Sequence, residues 1–243
     1  MQVSAQTSLT IVGTAHQPTS HLNADSIYKL LLKIKPDVIL QELDTALMDS
    51  RGNYKGRAIN NTGNEFLASA KYRQVNNKVI FRRFDIIDRS FYYDRHNTFA
   101  MEAKVDKSVD SAWKYMPKTD MQMISVLTAA NNTLKIMDDP DIYTINSKAY
   151  SNFAAFHQDW MYNKWLEVIA RTPALRQYYD FWKEDGDFWV RRNNAMVNNI
   201  ADYIKTFKGK SIVVLTGSMH KYLLTGGLTP LQDKLDFKLK DLP

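Results

Sequence analysis

The 243 residues are 44% hydrophobic, enough for one large domain or a domain carrying a substantial insertion. A formal charge of +6 is dispersed along the chain, and its densest basic group (Lys78, Arg82, Arg83, Arg89) is interrupted by Asp85 and Asp88, so the basic stripe of a nucleic-acid binder is missing. The absence of cysteine excludes disulfides, thiolate ligands and thiol nucleophiles, and no apolar run approaches the length of a membrane span. Val3-Ser4-Ala5 resembles a signal cleavage site with no apolar stretch before it. Two expectations follow from that: a cytoplasmic protein, or an exported one recorded without its signal peptide.

In chain order, the first β-type run is Leu9–Gly13. A helix follows, capped by Asn23, with Ile27, Leu30, Leu31 and Ile34 on one stripe and Pro36 after its end. The second run, Asp37–Glu42, completes a βαβ unit. A helix near Asn64–Val75 leads to the third run, Lys78–Phe84, whose mixed character suits a position near the sheet edge. From about residue 91 to 207 no strand pattern appears, and the stretch reads as a helical insertion with breaks near Pro117, Pro140, Pro173 and Gly186. All five tryptophans fall there. They are expected to pack helices together, and some are candidates to line a pocket. A last helix, from about Asp187 to Phe207, precedes the fourth run, Ser211–Gly217. Nearly continuous apolar runs belong to parallel strands covered on both faces. The expected fold is therefore α/β, a mostly parallel central sheet flanked by helices, within one domain spanning 1–243. The expected strand order is Lys78–Phe84, Asp37–Glu42, Leu9–Gly13, Ser211–Gly217.

The strongest chemical signal is a repeated pattern, Gly13-Thr14-Ala15-His16 and Gly217-Ser218-Met219-His220, each closing an apolar strand. With this composition Gly-x-x-His is expected roughly 0.2 times by chance. Glycine lets the chain turn as it leaves the strand, and the histidine then stands past the C-terminal edge, where open α/β sheets bind ligands. Glu42 ends the second strand at the same edge, as metal ligand or general base. Arg192 lies four residues before Met196 and so falls on the apolar stripe of the last helix, where it needs an anionic partner; Arg191 is turned about 100° away, toward solvent. Asp85 and His21 are candidates to line the site. His16, His220 and Glu42 together suit a divalent ion such as Zn, Mn, Fe or Co. That ion would activate water for hydrolysis, with Arg192 stabilising negative charge.

These segments, with Lys35-Pro36-Asp37-Val38-Ile39-Leu40-Gln41-Glu42 and Arg192-Asn193 before Met196, resemble the TraB/Tiki superfamily, which includes GumN-like and PrgY-like proteins and, more distantly, erythromycin esterases. The resemblance brackets almost the whole chain. It departs at the second motif, where Gly-x-Gly-His is frequent in the family and this chain has Met219. It implies an α/β core with a helical insertion and a site made of His16, Glu42, Arg192 and His220. It further implies metal-dependent peptidase-like hydrolysis, with Mn or Co the metals it favours. The expected partner is a peptide or small-molecule substrate. The competing expectation is a non-catalytic binding protein holding a peptide, haem or small ligand in the same pocket.

Overall fold

The computed structural model describes residues 6–136 and 139–243, so Val3-Ser4-Ala5 lies outside the described residues. The chain divides into two compact units. The first comprises residues up to Arg89, Asp139–Asn152 and Arg192–Pro243; the second comprises Ser90–Asp138 and Phe153–Arg191. The helical stretch is thus shared: residues 139–152 and 192–207 belong with the sheet.

In the sheet unit, β1 (Thr7–Thr14) leads into α1 (Ala24–Ile34) and β2 (Val38–Gln41), then α2 (Asn64–Val75) and β3 (Ile80–Arg83). The Asn23 side chain accepts the backbone N–H groups of Asp25 and Ser26, and the Ser26 hydroxyl accepts that of Asn23, a reciprocal cap that fixes where α1 starts. α3 (Arg89–His96), α4 (Thr98–Ala112), α5 (Lys118–Ile136), α6 (Lys148–Asp159) and α7 (Trp165–Arg171) follow. α8 (Tyr179–Thr206) then runs into β4 (Ser211–Gly217), followed by α9 (Ser218–Leu228), α10 (Gln232–Leu235) and β5 (Phe237–Lys240).

All strand pairings are parallel, in the order β3-β2-β4-β1-β5. The two motif strands are neighbours, but the expected order is corrected: β4 lies between β2 and β1, and β5 extends the sheet beyond β1. The physical reason is polarity. β4 carries the unbroken run Ile212-Val213-Val214-Leu215, fully or almost fully buried, whereas β1 opens with Thr7, Ser8 and Thr10. The most apolar strand takes the middle place of the five, furthest from both open edges of the sheet.

Alternation distributes the core. Leu9, Ile11, Val38, Leu40, Ile212 and Val214 pack with Met196, Ile200 and Ile204 of α8 and Leu224 and Leu228 of α9. The alternate residues Val12, Ile39, Gln41 and Val213 face the other way, where the Gln41 amide donates to Ser69 of α2 at 2.8 Å. Full burial of each such Leu, Ile or Val stabilises the fold by about 1.5–3 kcal/mol.

The second unit is helical, with no strand among its described residues. Its core joins Val105, Val168, Ile169 and Leu175 to Trp165 and Trp182. A helix break expected at Gly186 does not occur, because α8 passes through it. Gly186 instead admits the Tyr162 ring: a Cβ there would stand 3.2 Å from it.

Candidate functional site

The strand order brings Glu42 beside β4. Alternation past Gln41 turns Glu42 to the α8 face, toward Arg192. One carboxylate oxygen, Oε2, accepts the Thr216 hydroxyl and the Gly217 backbone N–H, both at 2.7 Å. The other, Oε1, accepts Arg192 Nη2 at 2.5 Å and meets Arg89 Nη1 at 3.4 Å. Asp85, just past β3, takes Arg192 side-on through Nε at 2.8 Å and Nη2 at 2.9 Å, and Arg89 Nη1 at 2.8 Å. Glu42, Asp85 and Arg192 are all buried. Burial by itself pushes the Glu42 carboxyl up; the neighbouring His220, Arg192, His16 and Arg89 pull harder, and it lies below the usual carboxylate range. His220 is uncharged at neutral pH, so there Arg192, the protonated His16 and Arg89 carry that pull.

The two motif histidines sit on either side of this cluster in opposite environments. His16 Nδ1 is 2.8 Å from Glu65 Oε1 at the start of α2, and Glu65 also accepts the Thr14 hydroxyl. The His16 side chain is 57% exposed, and the Glu65 hydrogen bond raises its pKa from 6.5 to about 9. Its Nε2 lies against Gly217, where a Cβ would come within 3.3 Å. Gly217 has φ −54°, which any residue adopts, so close approach rather than a turn requires glycine there. His220, in the first turn of α9, is buried, and its Nδ1 is 2.8 Å from the Asn193 amide oxygen. With that oxygen as acceptor, Nδ1 carries the proton and Nε2 the lone pair. His220 Nε2 is turned toward Glu42 Oε1 at 3.7 Å, and burial lowers the imidazole pKa to about 3.

The first motif is anchored from a distant segment. Asn146 grips Gly13 by both backbone groups: Gly13 N–H donates to Oδ1 at 2.7 Å and Nδ2 donates to Gly13 O at 2.8 Å. Lys221, next to His220, donates to the Asn146 carbonyl and side-chain oxygens.

Of the residues singled out in the sequence, His16, Glu42, Asp85, Arg192 and His220 are brought together. Arg192 points to Glu42 with a side chain 5% exposed, while that of Arg191 is 51% exposed and pairs with Glu184. Arg192 binds the carboxylates Glu42 and Asp85 through the same Nη2 that faces the site. His21 is corrected: it is exposed and its backbone N–H and ring face Asp139, not Glu42. Sequence reasoning missed Glu65, Arg89, Asn146 and Thr216. Their only signal was proximity to a strand end or helix start, which many polar residues share.

The expected metal set does not fit this arrangement. All four lone-pair directions of Glu42 face donors: two guanidinium groups, a hydroxyl and a backbone N–H. A cation there would displace Arg192 or Arg89 and stand beside the other. The two imidazoles alone fall short of the three protein ligands of a catalytic site. Among the described residues no group of three or more His, Cys, Asp or Glu is disposed to hold a metal.

No family model, curated protein or solved structure matches this chain. The TraB/Tiki likeness therefore rests on the motif residues alone.

Proposed function

We propose that this chain is a hydrolase of amide or ester bonds, amides foremost, working by acid–base catalysis between His16 and His220 at the C-terminal edge of the sheet. The observation that carries the reading is the contrast in surroundings of the two imidazoles, one exposed and bound to the Glu65 carboxylate, the other buried and bound to the Asn193 amide oxygen. Paired titratable groups whose surroundings drive their pKa values apart mark the acid and the base of a site. His16, raised to about 9 by Glu65, is an imidazolium at neutral pH and more than half open to solvent. It protonates the leaving group and stabilises negative charge developing on the carbonyl oxygen. His220, lowered to about 3 by burial, keeps its Nε2 lone pair and accepts a proton from the attacking water. Glu42 is not the base, because both its oxygens already accept from Arg192, Arg89, Thr216 and Gly217; it positions β4 against α8 and balances the guanidinium groups.

The test is hydrolysis of a mixed library of peptides, amides and fluorogenic esters in excess chelator, by wild type, His16→Asn and His220→Gln. The expected result is turnover that persists in chelator and falls about 100-fold or more in each variant, the usual contribution of acid–base groups. Turnover abolished by chelator would return the metal to the reaction and overturn the proposal. Saturable ligand binding with no turnover would overturn it in favour of a binding protein.

A further inference from the structure

A partly open cavity of about 690 Å³ lies within the second unit, far in sequence from the motif residues. That is the size of pockets that bury small organic ligands. Its walls follow from helix periodicity. Glu102, Asp106 and Asp110 recur every four residues along one stripe of α4, and Ile124, Leu127, Thr128 and Asn131 form the facing stripe of α5. Trp113, Trp165 and Trp182 supply the aromatic surface. Trp165 and Trp182 meet edge to face at 6.2 Å, and the Trp182 indole N–H donates to the Met161 carbonyl at 2.8 Å, so the two rings are held in place. Met161 also lines the cavity, within the π-helical turn Trp160–Lys164, a widened turn often found at binding sites.

The charge of the lining is one-sided. The chain has 32 Lys and Arg against 26 Asp and Glu, yet three carboxylates and no Lys, Arg or His line this cavity. None of the three carboxylates makes an ion pair among the described residues. Burial and neighbouring carboxylates push Glu102 and Asp106 above their ordinary pKa values, as expected of anions lacking a counter-charge. Aromatic faces beside uncompensated carboxylates attract organic cations, which lose less hydration than a metal ion and gain cation–π contact.

We infer that the cavity between α4 and α5 is a binding site for an organic cation, an alkylammonium or quaternary ammonium group seated against the indoles and neutralised by Glu102, Asp106 and Asp110. This site is independent of the proposed hydrolysis.

The test titrates the full-length protein with choline and spermidine, read by tryptophan fluorescence and calorimetry. The uncharged choline isostere 3,3-dimethylbutan-1-ol is the control for shape. Saturable binding of either cation is expected, at least tenfold tighter for choline than for its isostere if choline is the one bound. Asp106→Asn and Trp113→Ala should each weaken binding about tenfold with unchanged far-UV circular dichroism. Asp106 is exposed and Trp113 is 36% exposed, and the circular dichroism separates lost binding from a lost fold. Absence of saturable binding by either cation, equal binding of choline and its isostere, or affinity indifferent to both substitutions would overturn the inference.

Discussion

At the scale of single residues, the site is a set of charges each defined by a neighbour. His16 owes its raised pKa first to Glu65, so its protonated form is favoured in the folded state. The stabilisation is fully present below the ordinary value of 6.5 and is lost as pH rises through about 9. Solvent exposure of the ring tempers its size. The Tm difference between wild type and His16→Asn is therefore expected to narrow from about pH 6.5 to about pH 9, and thermal melts across that range check it. Arg192 is the opposite case. Its loss in Arg192→Met leaves Glu42 and Asp85 buried without their main cation, which is expected to cost about 3–5 kcal/mol in urea denaturation. His16, Glu42, Arg192 and His220 were readable because each ends a strand or breaks a helical stripe in a way local sequence displays. Glu65 and Arg89 were not, because their role comes from where α2 and the end of β3 land in space. No spacing rule connects Glu65 to His16, 49 residues away.

At the scale of elements, the existence of the strands follows from short apolar runs, and the start of α1 from its cap. Strand order does not, since an apolar run reports burial and not its neighbours. The central place of β4 is what lets Thr216 and Gly217 reach Glu42 directly. β5 escaped notice because Phe237-Lys238-Leu239-Lys240 is too short an alternation to stand out beside α10. Two outcomes test this reading. Amide exchange is expected to be slowest at Ile212–Leu215 and markedly faster in β5, which pairs on one side only; equal protection would contradict the central position. Gly217→Ala adds a Cβ 3.3 Å from His16 Nε2 and 3.6 Å from Glu42 Oε2 at a backbone conformation alanine tolerates. It should thus impair hydrolysis far more than stability, as kinetics and melts on the same sample would reveal.

At the scale of the molecule, the chain builds a parallel α/β unit and a helical unit, each with its own core. The helical character of residues 91–207 was readable from the missing strand pattern. The return of residues 139–152 to the sheet unit was not, because Asn146 acts there through two side-chain hydrogen bonds to Gly13 rather than through any periodic pattern. Asn146→Ala is expected to cost about 1–3 kcal/mol for the backbone groups left unpaired. The central claim is that one fold holds its two motif histidines in opposite protonation states. The most direct test is the pH titration of both imidazoles by long-range proton–nitrogen NMR, in wild type and Glu65→Gln. The expected result is His16 titrating near pH 9 and His220 remaining neutral, with Nδ1 protonated, down to about pH 3. In Glu65→Gln the His16 value should fall toward 6.5. Two histidines titrating together near 6.5, with His16 indifferent to Glu65→Gln, would contradict it.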